Sequence, residues 1–436
     1  MRTDSVTNTS LESQTAETVM LGSSYSAEQL AAKERAFSIP LAEVDVTDWH
    51  LFRTDTHWPY FERLRRDAPV YFHEDSRVGP YWSITGFHAM KEIDADNARF
   101  SSLDNISIVD VAPEFVNPSF IAMDEPMHSK QRKSVSGVVA PRNLAAMEDL
   151  IRGRIQRVLD ELPVGEEFNW VERVSIELTT QMLATLFDFP FEERHKLTRW
   201  SDIATGGPQS GLVSSWKEAS IELQECLAQF TQLWREREGN REGFDLVSML
   251  ANDPNTQDMT PSTYLGNLLL LIVGGNDTTR NSMSGGVLAL NRFPAEYDKL
   301  RADEALIPNM VAEIIRWQTP LAHMRRTALE DVDFHGQTIK KGDKVVMWYI
   351  SGNRDESVFE NPEVMQVDRP NARQHVSFGY GVHRCMGNRL AEMQLRLLWE
   401  EIQKRFSFVE VLAEPTRITS NFVHGYSHLP VRLHRL

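Results

Sequence analysis

The stretch Ser377-Phe-Gly-Tyr-Gly-Val-His-Arg-Cys-Met-Gly-Asn-Arg389 decides the fold of this chain. It contains Cys385, one of two cysteines among 436 residues, between glycines that permit a positive φ. The apolar stripe from Leu390 to Ile402 predicts a helix that begins at the cysteine. Because the free N–H groups and dipole of a helix start favour a thiolate, Cys385 is a candidate metal ligand.

The second cysteine gives the opposite indication. Cys226 falls in a helical stripe with Leu223, Leu227 and Phe230, which is typical of a buried core residue. A lone cysteine in a reduced protein is more often inert than reactive. The argument for Cys385 therefore depends on its glycine-rich loop and on the basic His383 and Arg384 beside it.

The composition is that of a globular chain, with 41% hydrophobic and 25% charged residues. Lys and Arg number 46 against 62 Asp and Glu, and the formal charge of −16 disfavours nucleic acid and anionic lipid as partners. There is no CxxC pair, no signal peptide, and no apolar run long enough for a membrane helix. We expect a cytoplasmic protein without a membrane anchor.

The organisation of the chain indicates a mainly α fold with small β-sheets. Residues 1–38 are polar and are expected to form a flexible arm, followed by a single domain over residues 39–436. Apolar residues recur at helical spacing from about 141 to 250. Two short strand-like runs flank Gly79-Pro80 and predict a β-hairpin.

A second stretch with chemical potential lies in a helix predicted from Pro261 to about Asn291. Residues 268–273 are apolar on all sides, which is typical of a buried helix, and Gly274-Gly-Asn-Asp-Thr-Thr279 follows. Thr278 can bond back to the carbonyl of Gly274 and open the helix. Close packing at the two glycines is the alternative explanation, but a buried Asp277 also needs a partner.

Two further patterns are ambiguous from the residues alone. His128 and Arg132 share one helical face, as in either a solvated basic turn or an anion clamp. Glu313 and Arg316 form one of five Glu-x-x-Arg patterns in the chain, most of which should be ordinary surface pairs.

Together these motifs resemble the cytochrome P-450 family. Phe378-x-x-Gly-x-His-x-Cys-x-Gly387 is similar to the family's haem-ligand loop, and Gly274-Gly-Asn-Asp-Thr-Thr279 is similar to its oxygen-activating turn. The resemblance implies a helical prism around a buried haem b. It also implies that Cys385 is the axial ligand of the iron.

The resemblance also assigns roles to other residues. It makes Asp277 a proton relay, gives Thr278 a part in oxygen activation, and makes the Glu313–Arg316 pair structural. The residues implied to bind the cofactor are His128, Arg132, Arg326, Phe378, Gly379 and His383. Arg325 remains an alternative to Arg326 as a ligand of a haem propionate.

A narrower resemblance concerns the substrate. Residues 273–286 and 315–326 resemble the bacterial alkane ω-hydroxylases, which implies terminal hydroxylation of medium-chain alkanes, fatty acids or similar chains. The residues expected to contact such a chain are Leu271, Gly274, Leu321, Met324 and Phe422. A hydroxylase of terpenes or other bulky substrates, a peroxygenase and a non-catalytic haem sensor are the alternatives.

Electrons must reach the predicted haem from outside the chain. No Rossmann fingerprint or cysteine-rich ferredoxin segment is present in the sequence. The family resemblance therefore implies a separate ferredoxin and an NAD(P)H-dependent ferredoxin reductase. It places Lys130, Lys133, Arg142 and Arg384 around the face nearest the cysteine.

Overall fold

The computed structural model describes residues 26–436, except 104, 111, 113 and 114. Its first helix, α1 (Ala27–Ser38), contradicts the predicted arm boundary at residue 38. Ser26 caps α1 through reciprocal bonds with Gln29, whose side-chain amide also donates to the carbonyl of Asp55 at 2.8 Å. A capping box can order a polar helix that hydrophobicity alone does not reveal. Residues 1–25 of the predicted arm lie outside the described residues.

Helices dominate the fold, and the longest of them, α11, is capped by Thr260, whose hydroxyl accepts from the Thr263 N–H at 3.2 Å. The helix starts at Pro261, as the sequence predicts. After α1, the helices in chain order are α2 (Trp49–Arg53), α3 (Trp58–Asp67), α4 (Phe87–Ala95), α5 (Met127–Ser136), α6 (Pro141–Asp160), α7 (Glu177–Phe187), α8 (His195–Gly206), α9 (Trp216–Arg237), α10 (Leu246–Asn252), α11 (Pro261–Arg292), α12 (Pro294–Ala302), α13 (Ile307–Gln318), α14 (Tyr349–Gly352) and α15 (Asn388–Gln403).

The strands form small sheets, which confirms the predicted fold class. They are β1 (Val70–His73), β2 (Tyr81–Ile84), β3 (Phe100–Ser101), β4 (Glu167–Asn169), β5 (Met324–Ala328), β6 (Val332–Phe334), β7 (Gln337–Ile339), β8 (Lys344–Met347), β9 (Phe406–Val411), β10 (Thr416–Arg417), β11 (Tyr426–His428) and β12 (Pro430–Arg435). The largest sheet has the order β1-β2-β8-β5-β3, a second has β4-β12-β9, and β6-β7 and β10-β11 form two-stranded pairs. The predicted hairpin is the antiparallel β1–β2 pair, with Val70 opposite Ile84.

Two large hydrophobic clusters hold most of the described elements together, beside a third cluster of only three buried residues. The larger one joins α6, α7, α11, α13 and α15, and the smaller one packs α3 and α4 against the five-stranded sheet. The second half of α11 is almost entirely buried, and Leu268 and Ile272 in its first half are fully buried. Leu269, Leu270 and Leu271 are only partly buried because they border a cavity. Within the described part of the chain, no helix has the length and apolar character to cross a bilayer.

Candidate active site

A cavity of about 1260 Å³ is lined by both α11 and the cysteine loop, residues 377–387. Cys385 contributes from the loop, and Gly274 and Thr278 contribute from α11. The two stretches that the sequence marks for chemistry therefore border the same space. A Cβ built on Gly274 meets no atom within 4 Å, because that face of α11 is open towards the cavity.

The cysteine loop is a tight turn held by its own backbone. The N–H of Cys385 donates to the carbonyl of Phe378 at 2.7 Å. Gly379 and Gly381 have φ of +67° and +68°, a region that favours glycine. A Cβ on Gly381 would lie 2.2 Å from the carbonyl oxygen of Asp94, so no larger residue fits there without movement.

The helix after the loop starts later than predicted. Helix α15 begins at Asn388, not at Cys385, because Gly387 occupies the cap position and the turn of Met386 and Gly387 separates the thiol from the helix. Burial raises the pKa of the Cys385 thiol, and the N–H groups of Gly387 and Asn388 act against that rise. The expected stabilisation of a thiolate by free N–H groups is present, although the helix start is displaced.

The walls of the cavity fit a haem. Cys385 lies below the outer surface of the protein but keeps accessible surface where it lines the cavity, which suits a thiolate ligand of iron. The side chains of Arg132 and Arg326 also reach the cavity, where they can meet carboxylates. His383 is bonded through Nε2 to the Ser102 hydroxyl at 3.0 Å, whereas its buried Nδ1 has no hydrogen-bond partner among the described residues. An acidic cofactor group would satisfy that atom.

The structure separates the two candidate arginines of strand β5. Arg326 is 3% exposed, lines the cavity, and donates to Asp94 Oδ1 at 2.9 Å. Arg325 pairs with Asp110 and is not among the described residues that line the cavity. Successive side chains of a strand point to opposite faces, so only one of the two can face the cavity. That residue is Arg326.

His128 and Arg132 link α5 to the cysteine loop. His128 is fully buried, and its ring nitrogens lie 2.7 Å from the carbonyl oxygen of Phe120 and 3.1 Å from that of Val382. The His128 ring centroid is 3.9 Å from that of His383. Arg132 donates to the carbonyl of Arg384 at 2.5 Å. Both side chains border the cavity, so neither belongs to a solvated basic turn.

The polar turn of α11 presents neighbouring residues in different directions. Thr278 lines the cavity, and its hydroxyl donates to the carbonyl of Gly274 at 3.0 Å, as the spacing predicts. Asp277 is fully buried next to Arg280, with Oδ1 and Nη2 2.8 Å apart, and Arg280 in turn pairs with Asp202 at 2.7 Å. Burial raises the pKa of Asp277 to about 6, and the Arg280 charge opposes that rise.

The five predicted substrate residues all border the cavity: Leu271, Gly274, Leu321, Met324 and Phe422. The sequence reasoning missed apolar contributions from α7 and α9, of which Met182, Leu183, Leu186 and Trp216 are examples. No local pattern distinguishes these residues from ordinary core positions. Their place in the site follows only from how α7 and α9 pack over α11.

The Glu313–Arg316 pair is buried and structural. Two hydrogen bonds of 2.7 Å join the side chains, and both residues are fully buried, unlike a surface pair. Arg316 also donates at 2.7 Å to the carbonyl of Asn353. This bond links the pair to the segment that precedes the cysteine loop. Arg369, which the sequence reasoning did not identify, completes the group by donating to Glu313 at 2.9 Å.

A second buried group contains potential metal ligands. One ligand atom from each of Asp55, His57 and His424 lies within 4.8 Å of the others. However, Asp55 is already paired with Arg417 at 2.8 Å and with Arg292 at 3.4 Å. Since two guanidinium groups already balance this carboxylate, a further cation is disfavoured, and we assign the group to structure.

Comparison with known proteins is consistent with this geometry. The model of the cytochrome P450 family matches residues 161–424. Linalool 8-monooxygenase from Pseudomonas putida is 34% identical, over 89% of this chain and 98% of that protein. Methyl-branched lipid omega-hydroxylase from Mycobacterium bovis is 29% identical, over 90% of this chain and 95% of that protein. The structure of CYP153D17 from Sphingomonas sp. PAMC 26605 superimposes with a TM-score of 0.86 at 48% identity, covering 91% of this chain and 100% of that one.

Proposed function

The chain belongs to the cytochrome P450 family, and we propose that this monooxygenase hydroxylates the terminal carbon of a medium-length apolar chain, such as an alkane or a fatty acid. The observation that carries the proposal is the apolar wall of the cavity. Leu271, Leu321 and Phe422 border the same cavity as Cys385. An apolar chain that binds against these side chains therefore lies in the cavity that contains the cysteine. Burial of each CH₂ group contributes about 0.8 kcal/mol to binding.

One relative supports the terminal position of attack. Methyl-branched lipid omega-hydroxylase from Mycobacterium bovis, 29% identical over 90% of this chain, is named for ω-hydroxylation of a lipid. Terminal C–H bonds are stronger than internal ones, so an enzyme selective for them must present only the chain end. Leu321 and Met324 line the cavity, and we propose that they restrict access to the chain end.

The cofactor in this proposal is haem b, held by residues from three parts of the chain. Bound haem supplies the oxidising chemistry: one oxygen atom of O₂ enters the C–H bond, and the other leaves as water with two electrons and two protons. Cys385 would provide the thiolate ligand, and Phe378 and Gly379 would lie against the haem. His128, Arg132, Arg326 and His383, which border the same cavity, would bind the propionates.

The polar turn of α11 supplies protons in this scheme. Thr278 stands at the cavity wall with its hydroxyl held by the carbonyl of Gly274. Asp277 lies behind it, and because burial raises its pKa to about 6, this carboxyl can take up and release a proton near pH 6. Arg280 and the partly exposed Asp202 continue a row of charged groups from Asp277 towards the surface. We propose that Asp277 exchanges protons with solvent on this side of α11, away from the apolar wall.

Electrons are proposed to arrive from a separate ferredoxin, itself reduced by an NAD(P)H-dependent reductase. Four basic residues that the family resemblance places around the cysteine side of the protein are exposed: Lys130, Lys133, Arg142 and Arg384. An acidic ferredoxin would be attracted to them despite the negative net charge of the whole protein.

A second candidate function is hydroxylation of a terpene. Linalool 8-monooxygenase is a 34% identical relative over nearly the whole chain, and an apolar wall accepts a branched or cyclic hydrocarbon as readily as a linear one. The two candidates differ in how narrow the cavity must be, which a product analysis can distinguish.

The test is to supply ferredoxin, reductase and NADH with decane, dodecanoic acid or a monoterpene. We expect terminal alcohols from the linear substrates. Leu321→Ala should widen the cavity and shift products towards carbons 2 and 3. Leu329→Ala, an exposed position that does not line the cavity, is the matched control and should leave the products unchanged. Mainly internal alcohols from the wild-type protein, or a preference for the monoterpene, would overturn the terminal assignment.

A further inference from the structure

We infer that Asp94 is a positioning residue for the haem: its carboxylate holds Arg326 against the cysteine loop and balances part of the Arg326 charge, which lowers the reduction potential of the haem iron. The inference requires a haem in the cavity, which family membership implies. It does not depend on the proposed substrate.

One carboxylate joins three separate parts of the chain. Asp94, in helix α4, is 3% exposed and lines the cavity. Its Oδ1 accepts from Nη2 of Arg326 at 2.9 Å, on strand β5. Its Oδ2 accepts from the hydroxyl of Tyr349 at 2.6 Å, on α14, and from the backbone N–H of Tyr380 at 3.1 Å, in the cysteine loop.

The three contacts suit an ionised carboxylate. Arg326 and the Tyr380 N–H can only donate, and burial raises the pKa of the Tyr349 phenol well above 10, so that this group keeps its proton and donates as well. Burial raises the pKa of the Asp94 carboxyl, whereas the charge of Arg326 and the two other donors act against that rise. The arrangement therefore places a negative charge beside a cavity-facing cation.

That charge affects the two oxidation states of the iron unequally. The ferric state carries one more positive charge than the ferrous state, so a negative group in the cavity wall favours the ferric state. In Asp94→Asn the charge of Arg326 is no longer balanced, and the ferrous state becomes more stable relative to the ferric state. For loss of one buried unit charge we expect a change of about tenfold in the ferric–ferrous equilibrium constant, which is about 59 mV for a one-electron couple.

The shape of the loop does not depend on this charge. Helix α4 also approaches the loop through its backbone, since the carbonyl oxygen of Asp94 lies close to Gly381. Asparagine is nearly isosteric with aspartate and leaves that backbone contact in place. A purely structural role for Asp94 therefore predicts little change of potential in Asp94→Asn once haem is bound.

The experiment is a redox titration of the haem-loaded full chain with dithionite, after the carbonyl spectrum has confirmed thiolate ligation. Asp94→Asn should raise the midpoint potential, and Asp94→Glu should restore most of the wild-type value. Tyr349→Phe removes one donor to the carboxylate, leaves its charge less balanced, and should shift the midpoint in the opposite direction. Glu92→Gln, an exposed carboxylate of the same helix, is the matched control and should not shift it.

Each result bears on the inference. An Asp94→Asn midpoint equal to that of the wild type, or Asp94→Asn and Tyr349→Phe shifts of the same sign, would overturn it. If Asp94→Asn does not retain haem, Tyr349→Phe alone decides. An unchanged or raised midpoint potential in that variant overturns the inference, and a lowered midpoint potential supports it. A protein without the thiolate spectrum in its wild-type form would contradict the haem assignment itself, which is a separate failure.

Discussion

The two walls of the cavity are built by different physical means. The cysteine wall is polar, and directional bonds tie its loop to neighbouring elements, as in the contacts of Asp94 with Tyr380 and of Arg132 with Arg384. The opposite wall is apolar and is assembled from side chains such as Leu271, Leu321 and Phe422, which pack without directional bonds. Under the proposed function, directional bonds would hold the haem, whereas the shape of the apolar wall would select the substrate.

The comparison predicts the largest effect at the centre of the cysteine wall. Cys385→Ser should abolish the red-shifted Soret band of the ferrous carbonyl complex completely, because a hydroxyl cannot replace a thiolate on the iron. Cys226→Ser is the matched control, since Cys226 is fully buried in the core away from the loop, and it should keep the band. If the band persists in Cys385→Ser, Cys385 is not the iron ligand, and the polar wall does not hold the cofactor as described.

The next largest effect should come from the polar turn where the two walls meet on α11. Asp277→Asn should reduce turnover by about 100-fold, since loss of a positioned proton donor typically costs about 10²–10⁴ in rate. Haem content and substrate binding should change little, because Asp277 does not face the cavity. Thr278→Ala, measured beside it, should divert reducing equivalents to peroxide. Full coupling and normal turnover in both variants would make the turn merely structural.

A pH measurement on the same variant checks the state of the carboxyl. Burial raises the pKa of Asp277 from 3.8 to about 6, so between these values the folded protein keeps a proton that the unfolded chain has lost. The contribution of this group to stability is complete below pH ~4 and is lost as the pH rises towards ~6. Asp277→Asn should remove that slope from the free energy of unfolding, measured by denaturant titration.

A smaller effect distinguishes adjacent residues on strand β5. Arg326→Ala should accelerate haem loss to apomyoglobin by about tenfold, the order expected when a charged hydrogen bond to a propionate is removed. Arg325→Ala should leave the rate nearly unchanged, because Arg325 pairs with Asp110 instead of facing the cavity. Equal rates in the two variants would mean that the cofactor is not held as the cavity wall indicates.

The smallest effect concerns the outer side of the cysteine wall. Raising the ionic strength should slow reduction by an acidic ferredoxin several-fold, since exposed charges are screened beyond ~8 Å at physiological salt. Lys133→Glu combined with Arg142→Glu should slow it at low salt as well. Lys217→Glu combined with Arg235→Glu, on α9, is the matched charge reversal and should have less effect. Rates indifferent to salt and to both pairs would contradict docking by charge.

Local spacing alone predicted a large share of the site. The hydrogen bond from Thr278 to Gly274 follows from a separation of four residues in a helix, and the glycines of the cysteine loop follow from the backbone they must adopt. The hairpin of β1 and β2 and the start of α11 were predicted for the same reason. The misplaced start of α15 and the overlooked α1 are errors of boundary, where capping outweighs hydrophobic periodicity.

What the sequence by itself determined was therefore the family, the mainly α fold, and the residues whose partners lie within a few positions along the chain. Only the tertiary structure decided that Arg326 and not Arg325 faces the cavity, that Asp94 holds Arg326, and that Arg280 joins Asp277 to Asp202. The physical reason is the separation of the partners: Asp94 and Arg326 are 232 residues apart, and only the packing of α4 against β5 and the cysteine loop brings their charges within 3 Å.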